Sequence, residues 1–173
     1  MNKKTLALVH AAVIAALYVV LTLLANSLGL ANYAIQVRFS EALTILPFFT
    51  PAAIPGLFVG CILSNILTGC MPLDVLFGSI ATLLGALGTY FLCGKAKAGA
   101  QTGLAKVLLA PLPPIIANTL IVPFVLAYVY RFEGSIPYFM LTVGAGEVIS
   151  CGILGILLLK VLPKYRRQLF PED

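Results

Sequence analysis

The sequence contains no tryptophan, a single histidine and little charge. Only 10% of its 173 residues are charged, whereas a soluble domain carries about 25%. The four cysteines form no CxxC pair and have no histidine beside them, which favours packing roles over metal binding. No phosphate-binding loop, metal-ligand spacing or Ser/His/Asp set occurs, and His10 is far in sequence from any cluster of carboxylates. We therefore expect no enzyme activity in this chain, no ATP hydrolysis, no metal and no cofactor.

Apolar residues take the place of charge. The chain is 61% hydrophobic, and its mean hydropathy is +1.06. Its length leaves room for about six membrane spans of roughly 20 residues each. These properties predict an all-α integral membrane protein with a single domain over residues 1–173. The net charge of +5 collects at the ends of the predicted spans, so it follows membrane topology and does not indicate nucleic-acid binding.

Six apolar segments are separated by short polar or proline-rich turns. The predicted spans run over about Thr5–Ser27, Glu41–Phe49, Ile54–Cys70, Leu73–Leu92, Lys106–Tyr130 and Pro137–Leu162. Span two is short and contains Pro47, and span five contains four prolines. Because proline removes a backbone hydrogen bond and clashes with the preceding turn, we expect spans two and five to be kinked or broken and packed against protein. The expected fold is a six-helix bundle.

Lysine and arginine are distributed unevenly between the two sides of this bundle. With six spans, both termini lie on one side, which holds nine of the basic residues: Lys3, Lys4, Lys95, Lys97, Lys106, Lys160, Lys164, Arg166 and Arg167. The other side holds Arg38 and Arg131. Because the excess of basic residues faces the cytoplasm, we expect both termini in the cytoplasm and a multi-pass protein of the bacterial cytoplasmic membrane.

Glu147 is the polar residue that stands out within the spans. It lies about ten residues below the outer end of span six, or roughly 15 Å at the rise of an α-helix. A carboxylate at membrane depth faces a cavity or a partner and marks a functional site by default. The other deep polar residues lie in the middle or outer half of the spans: Arg38, Glu41, Asn65, Asp74 and Asn118. This one-sided distribution predicts an outward-facing binding pocket and not a continuous path across the membrane.

Each of these residues also has a structural interpretation. Arg38 and Glu41 can form a surface ion pair of little consequence, and Asp74 can cap the first turn of span four. Asn65 and Asn118 can hold helices together through hydrogen bonds. Glu147 can be a neutralised or paired packing carboxylate.

Span one carries alanine at every fourth position, at Ala7, Ala11 and Ala15. This spacing places the three residues on one helix face, and small faces let helices approach closely in lipid. The face serves either internal packing or the docking of another membrane subunit.

Four strings of the sequence are distinctive: QVRFSEALTILP, IPGLFVGCILSN, DVLFGSIATLLG and the GAGE of span six. Together they resemble the QueT family of substrate-binding (S) components of energy-coupling factor (ECF) transporters. The resemblance runs over nearly the whole chain and implies a six-helix bundle that binds a queuosine precursor near its outer side. It also implies a separate transmembrane coupling protein and two ATPase subunits that power uptake. The alanine face of span one resembles the docking motif for that coupling protein.

A 7-deazaguanine ligand, such as queuine or a precursor of the preQ0 or preQ1 type, suits the deep polar residues. Its ring N–H and exocyclic amine lie side by side, and the Glu147 carboxylate can accept both hydrogen bonds. Asn118 can bind the carbonyl edge, and Glu41 or Asp74 can hold a cationic amine. Three aromatic residues are candidates for stacking on the flat ring: Tyr33, Phe39 and Tyr138. The alternatives are an S component for a flavin or a pterin, and a membrane assembly subunit without a transport role.

Overall fold

The computed structural model describes residues 2–30, 36–94, 103–165 and 169, and within them the chain forms helices and no strand. Four helical stretches are long and apolar enough to cross a membrane, and two apolar helices are shorter. The four are Lys3–Ser27, Pro72–Cys93, Leu104–Tyr128 and Ile136–Tyr165, and the two are Phe39–Phe48 and Ala53–Leu67. The prediction of an all-α fold with six helical segments is confirmed. The sidedness of the termini stays a prediction, and four of its basic residues lie outside the described ranges: Lys95, Lys97, Arg166 and Arg167.

Helix α1 (Lys3–Ser27) packs along helix α2 (Ala53–Leu67) through two glycines of α2. A Cβ atom added to Gly56 would lie 2.7 Å from the Ala11 carbonyl oxygen, and one added to Gly60 would lie 2.8 Å from Tyr18 Cβ. No side chain larger than hydrogen fits at either position without movement of the backbone. The two helices are therefore held at the close distance that small residues permit in lipid.

The second predicted span is a 3₁₀ helix, Phe39–Phe48, which lies in the centre of the bundle. Its residues are buried from Ser40 to Phe48. It contacts α1, α2 and helix α3 (Pro72–Cys93), as well as the helical stretch Ile136–Tyr165. Runs of 3₁₀ helix longer than about four residues are uncommon and often mark strain or a hinge. Proline at position 47 suits this geometry, because the ring excludes an ordinary α-helical turn at that point. The segment that the sequence presents as a short span thus forms the core of the fold.

The fifth predicted span consists of two helices, α4 (Leu104–Leu109) and α5 (Leu112–Tyr128). The Ala110 carbonyl, at the junction, accepts a hydrogen bond of 2.8 Å from Thr89 Oγ1 of helix α3 (Pro72–Cys93). Helices α3 and α5 pack against each other along their length. The junction is therefore satisfied by a neighbouring helix, as a break in a membrane helix requires.

The last predicted span changes its helical geometry in the middle, which the sequence pattern did not predict. Helix α6 (Ile136–Glu147) passes into a π-helical segment, Val148–Leu154, and then into α7 (Gly155–Val161). π-Helical turns are rare and occur frequently at functional sites. This one begins directly after Glu147 and packs against the 3₁₀ helix. In the π-helical segment, Ser150 and Cys151 are buried in the core.

Candidate functional site

A cavity of about 410 Å³ opens at one end of the bundle, where α1, α2 and α5 end and α3 and α6 begin. We call this the outer cavity, because the predicted topology places that end outside. Pockets for small molecules have volumes of about 300–1,000 Å³. Four of the predicted binding residues line it: Arg38, Asn65, Asp74 and Tyr138. Each of these four wall residues comes from a different segment of the chain.

Asp74 is the acidic residue of the outer cavity and is only 5% exposed. It lies in the first turn of α3, but the N-cap residue of this helix is Met71. The Asp74 carboxylate instead accepts a hydrogen bond of 2.8 Å from the Tyr130 hydroxyl, which itself accepts one of 3.2 Å from the Met71 N–H. The N-cap interpretation of Asp74 is therefore wrong. Its carboxylate is fixed by a tyrosine 56 positions further along the chain.

Arg38 and Asn65 form the polar floor of the outer cavity. The Arg38 backbone N–H donates to Ser150 Oγ at 3.1 Å, which ties the start of the 3₁₀ helix to the π-helical segment. Its guanidinium interacts electrostatically with Asp74 and Glu41. The buried Asn65 amide faces α3, where it would lie 3.3 Å from a Cβ atom added to Gly78.

Glu41 and Glu147 form a buried pair below this floor. Glu41 is 1% exposed, and its Oε1 accepts hydrogen bonds from the Tyr18 hydroxyl and, at 3.5 Å, from Thr82 Oγ1. Its Oε2 is buried and has no hydrogen-bond partner among the residues that the structure describes. Glu147 is 8% exposed, and its Oε2 accepts a hydrogen bond of 3.1 Å from Cys151 Sγ. One carboxylate oxygen of each glutamate and Cys151 Sγ all lie within 4.8 Å of one another.

The pair has more acceptors than donors. The Asn118 amide lies beside Glu147, but it also donates to the Pro114 carbonyl at 3.2 Å. Two carboxylates this close in a dry interior do not both carry a charge unless a cation or a donor-rich group lies between them.

The surface ion pair proposed for Arg38 and Glu41 is wrong, because Glu41 is buried and bound to Tyr18 and Thr82.

The remaining predicted residues fall outside the cavity wall. Glu147, Glu41 and Asn118 lie beneath it, and Phe39 is half-buried but does not line it. Tyr33 lies outside the described residues. Glu147 does not line the outer cavity. Gln36 does, and its backbone packs directly against Gly146, the residue before Glu147. A role of Glu147 in ligand binding stays a prediction.

The alanine face of α1 is divided between the interior and the surface. Ala15 is buried and Ala11 half-buried, and both pack against α2 through its glycines. Ala7 is exposed and lines a smaller pocket of about 210 Å³ together with His10 and Pro51. The packing interpretation therefore applies to Ala11 and Ala15, and docking by this face stays a prediction.

Sequence reasoning missed Tyr130 and Cys151 as members of the two polar sites. Cys151 follows Glu147 by four residues, and this spacing was a usable signal because residues four apart share a helix face. Tyr130 is the last residue of predicted span five, where a tyrosine is typical of the membrane interface. Its hydrogen bond to Asp74 depends on the packing of α5 against α3 and was not visible in the local sequence.

Comparison with known proteins places this arrangement in a family. A family model described as QueT transporter matches residues 8–164. The queuosine precursor transporter QueT of Lactococcus lactis subsp. cremoris (strain MG1363) is 37% identical over 83 residues, which cover 48% of this chain and 48% of that protein. The matched chain thus spans about half the length of this curated relative. No solved structure matches the chain. Because the family model covers most of its length, the chain belongs to the QueT transporter family.

Proposed function

We propose that this chain is the membrane-embedded substrate-binding subunit of an ECF importer and that it binds a queuosine precursor of the 7-deazaguanine type. The ligand enters the outer cavity from outside the cell and is released inside when the subunit is coupled to an ATPase module. The observation that carries this proposal is a cavity lined by four predicted ligand residues in a member of the QueT transporter family. The chain acts as one domain in the bacterial cytoplasmic membrane with both termini in the cytoplasm.

The walls of the outer cavity suit a flat, polar ring. Its volume of about 410 Å³ is within the range of small-molecule pockets, which combine apolar walls with a few polar groups. Aromatic side chains line the side formed by α5, α6 and the turn between them: Tyr130, Phe132, Tyr138 and Phe139. Such side chains stack on a heteroaromatic ring. Arg38 and Asn65 lie on the floor and can bind the carbonyl edge of the ring.

The buried carboxylate pair suits the donor edge of the same ring. In our proposal the ring N–H and the exocyclic amine donate to Glu147 after the Gln36 backbone moves away from Gly146. The unpartnered Oε2 of Glu41 supports this assignment, because it leaves an acceptor in the core that no donor of the described chain satisfies. Asn118 lies beside Glu147 and completes the set of groups that bind the ring edge.

The proposed role as a subunit of an ECF importer also implies partner subunits. The coupling protein and the two ATPases are separate chains, and a transporter subunit of this kind is not in itself an enzyme. The sequence predicts docking through Ala7, Ala11 and Ala15. Because Ala11 and Ala15 pack against α2, the small residues free for contact in this conformation are Ala7, Ala12 and Ala16, which are exposed. We propose this exposed side of α1 as the docking surface.

Ligand binding by the purified protein tests the function. Native mass spectrometry identifies a ligand that is retained during purification, and calorimetry measures binding of queuine, 7-aminomethyl-7-deazaguanine, riboflavin and a pterin. We expect binding of a deazaguanine and no binding of the flavin or pterin. Binding of riboflavin or a pterin in preference to the deazaguanines would transfer the assignment to another vitamin. Failure to bind any of the four would remove the substrate-binding role.

A further inference from the structure

We propose that Asp74, held in place by Tyr130, is a cation subsite that makes the protein select 7-deazaguanines with a protonated amine over neutral ones. This inference rests on the proposed function and names the chemical class of its substrate. It also decides between Glu41 and Asp74, the two residues that the sequence offers for a cationic amine.

The hydrogen bonds of Asp74 leave part of its carboxylate available. Tyr130 is the hydrogen-bond donor to this carboxylate among the described residues, and it reaches Oδ2 at 2.8 Å. Oδ1 lies towards Gly78, at 3.5 Å from a Cβ atom added there. A carboxylate that is fixed at one oxygen and available at the other is ready to accept a charge-assisted hydrogen bond from an ammonium group.

The position of Asp74 in its helix suits a negative charge, and its partner is a proton donor. Asp74 lies in the first turn of α3, where the helix dipole stabilises a negative charge. Burial raises the pKa of Tyr130 above its ordinary value, so its hydroxyl stays a proton donor to Asp74. The site therefore presents one acidic side chain, held by Tyr130, at the wall of the outer cavity.

The balance of charge around the cavity favours a cationic ligand. Arg38 interacts electrostatically with the carboxyl groups of Asp74, Glu41 and Glu147, so one guanidinium faces three acids. Of these acids, only Asp74 lines the cavity in the described part of the chain. The acid that a ligand meets at the wall of the cavity is therefore Asp74, whereas Glu41 is buried away from the wall. An ammonium group on the ligand would lie beside this carboxylate of the cavity wall.

The aromatic wall lies next to this carboxylate. The rings of Tyr130 and Phe132 have centroids 5.5 Å apart, and both residues line the cavity together with Asp74. A ring stacked on this wall places a short amine substituent within reach of the Asp74 carboxylate and of the aromatic faces. Both attract a cation, the second through cation–π interaction. A nitrile in the same position would gain neither interaction.

The test compares two ligands that share the ring and differ in charge. Calorimetry on the purified full chain in lipid nanodiscs measures 7-aminomethyl-7-deazaguanine, which is cationic, and 7-cyano-7-deazaguanine, which is neutral. We expect the wild-type protein to bind the amine about tenfold or more tightly than the nitrile. In Asp74→Asn the affinity for the amine should fall by about tenfold or more, with that for the nitrile within about twofold of wild type, because a lost charge-assisted bond of about 1.4 kcal/mol corresponds to tenfold.

Two further variants separate the subsite from general effects. Glu133→Gln removes an exposed carboxylate on the turn before α6 and should change neither affinity. Tyr130→Phe keeps the charge but releases Asp74, and should weaken the amine several-fold with little effect on the nitrile. It also provides the test if Asp74→Asn does not fold. Equal binding of both ligands by the wild type, or an equal loss of both in Asp74→Asn, would overturn the subsite and leave the proposed function standing. Binding of neither ligand by the wild type would overturn both.

Discussion

Replacement of Glu147 by glutamine should have opposite effects on stability and on ligand binding. The buried pair brings a carboxylate oxygen of Glu147 within 4.8 Å of one from Glu41. Glutamine has nearly the same shape, removes one of the two acids and adds an N–H donor. The Oε2 of Glu41, which has no hydrogen-bond partner in the described part of the chain, can then accept a hydrogen bond. The variant should therefore be more stable and bind ligand less well.

The magnitudes follow from the geometry. Two full charges at that separation repel by roughly 3 kcal/mol at an effective dielectric constant of about 20, which is an upper bound because a shared proton relieves most of it. A buried unsatisfied polar group costs about 1–3 kcal/mol. We expect glutamine to raise the free energy of unfolding by about 1 kcal/mol, or the Tm by about 2–4 °C for a chain of this size. For the ligand, a donor would meet the donor edge of the ring, so affinity should fall by about tenfold or more.

The assay measures both quantities on the same preparations. Thermal unfolding in detergent reports the Tm, and calorimetry with queuine or 7-aminomethyl-7-deazaguanine reports the Kd. Glu147→Ala removes the acid, adds no hydrogen-bond donor and leaves a void. This variant should therefore lose ligand affinity without gaining in Tm. Glu133→Gln, at an exposed position, is the matched control and should change neither. Wild-type affinity in Glu147→Gln would refute the role of Glu147 in binding, and a lowered Tm would refute the description of the pair.

Three other substitutions test the topology, the docking surface and the packing. Cysteines placed at Lys4 and Glu133 should react with membrane-impermeant reagents from opposite sides, and labelling of both from the cytoplasmic side would contradict the six-span topology. Ala12→Trp, on the exposed side of α1, should abolish co-purification with the coupling protein and leave ligand affinity unchanged; unchanged transport would show that this side of α1 faces only lipid. Gly85→Ala should lower the free energy of unfolding by about 1–3 kcal/mol through overpacking, because its Cβ atom would lie 2.6 Å from Pro114 Cα; a Tm equal to that of wild type would refute the tight α3–α5 contact.

Several features of the site were predictable because they depend on local energetics. Transfer of a carboxylate into a membrane span is unfavourable for any fold, so Glu147 could be identified as a functional candidate from its neighbours alone. Asp74, Asn65 and Arg38 could be assigned to one end of the bundle, because span length and the order of spans determine which span ends lie together. The outer cavity contains all three.

Other features required contacts between distant segments. The central position of the 3₁₀ helix was not predictable from ten mostly apolar residues, because a short buried helix and a short span have the same composition. The hydrogen bond from Tyr130 to Asp74 and the contact of Gln36 with Gly146 join segments far apart in sequence. Gln36 lines the outer cavity, and Glu147, which was predicted to line it, does not.

The sequence by itself determined the membrane class, the six helical segments and the family, because apolar composition, span length and residue strings are properties of the chain before it folds. Only the tertiary structure decided that Glu41 meets Glu147 and that Tyr130 holds Asp74. Helical periodicity specifies which residues share a face of one helix, but not which helix that face contacts. In lipid the apolar faces of all spans are nearly equivalent, and small residues such as Gly56 and Gly60 select the neighbour through close packing.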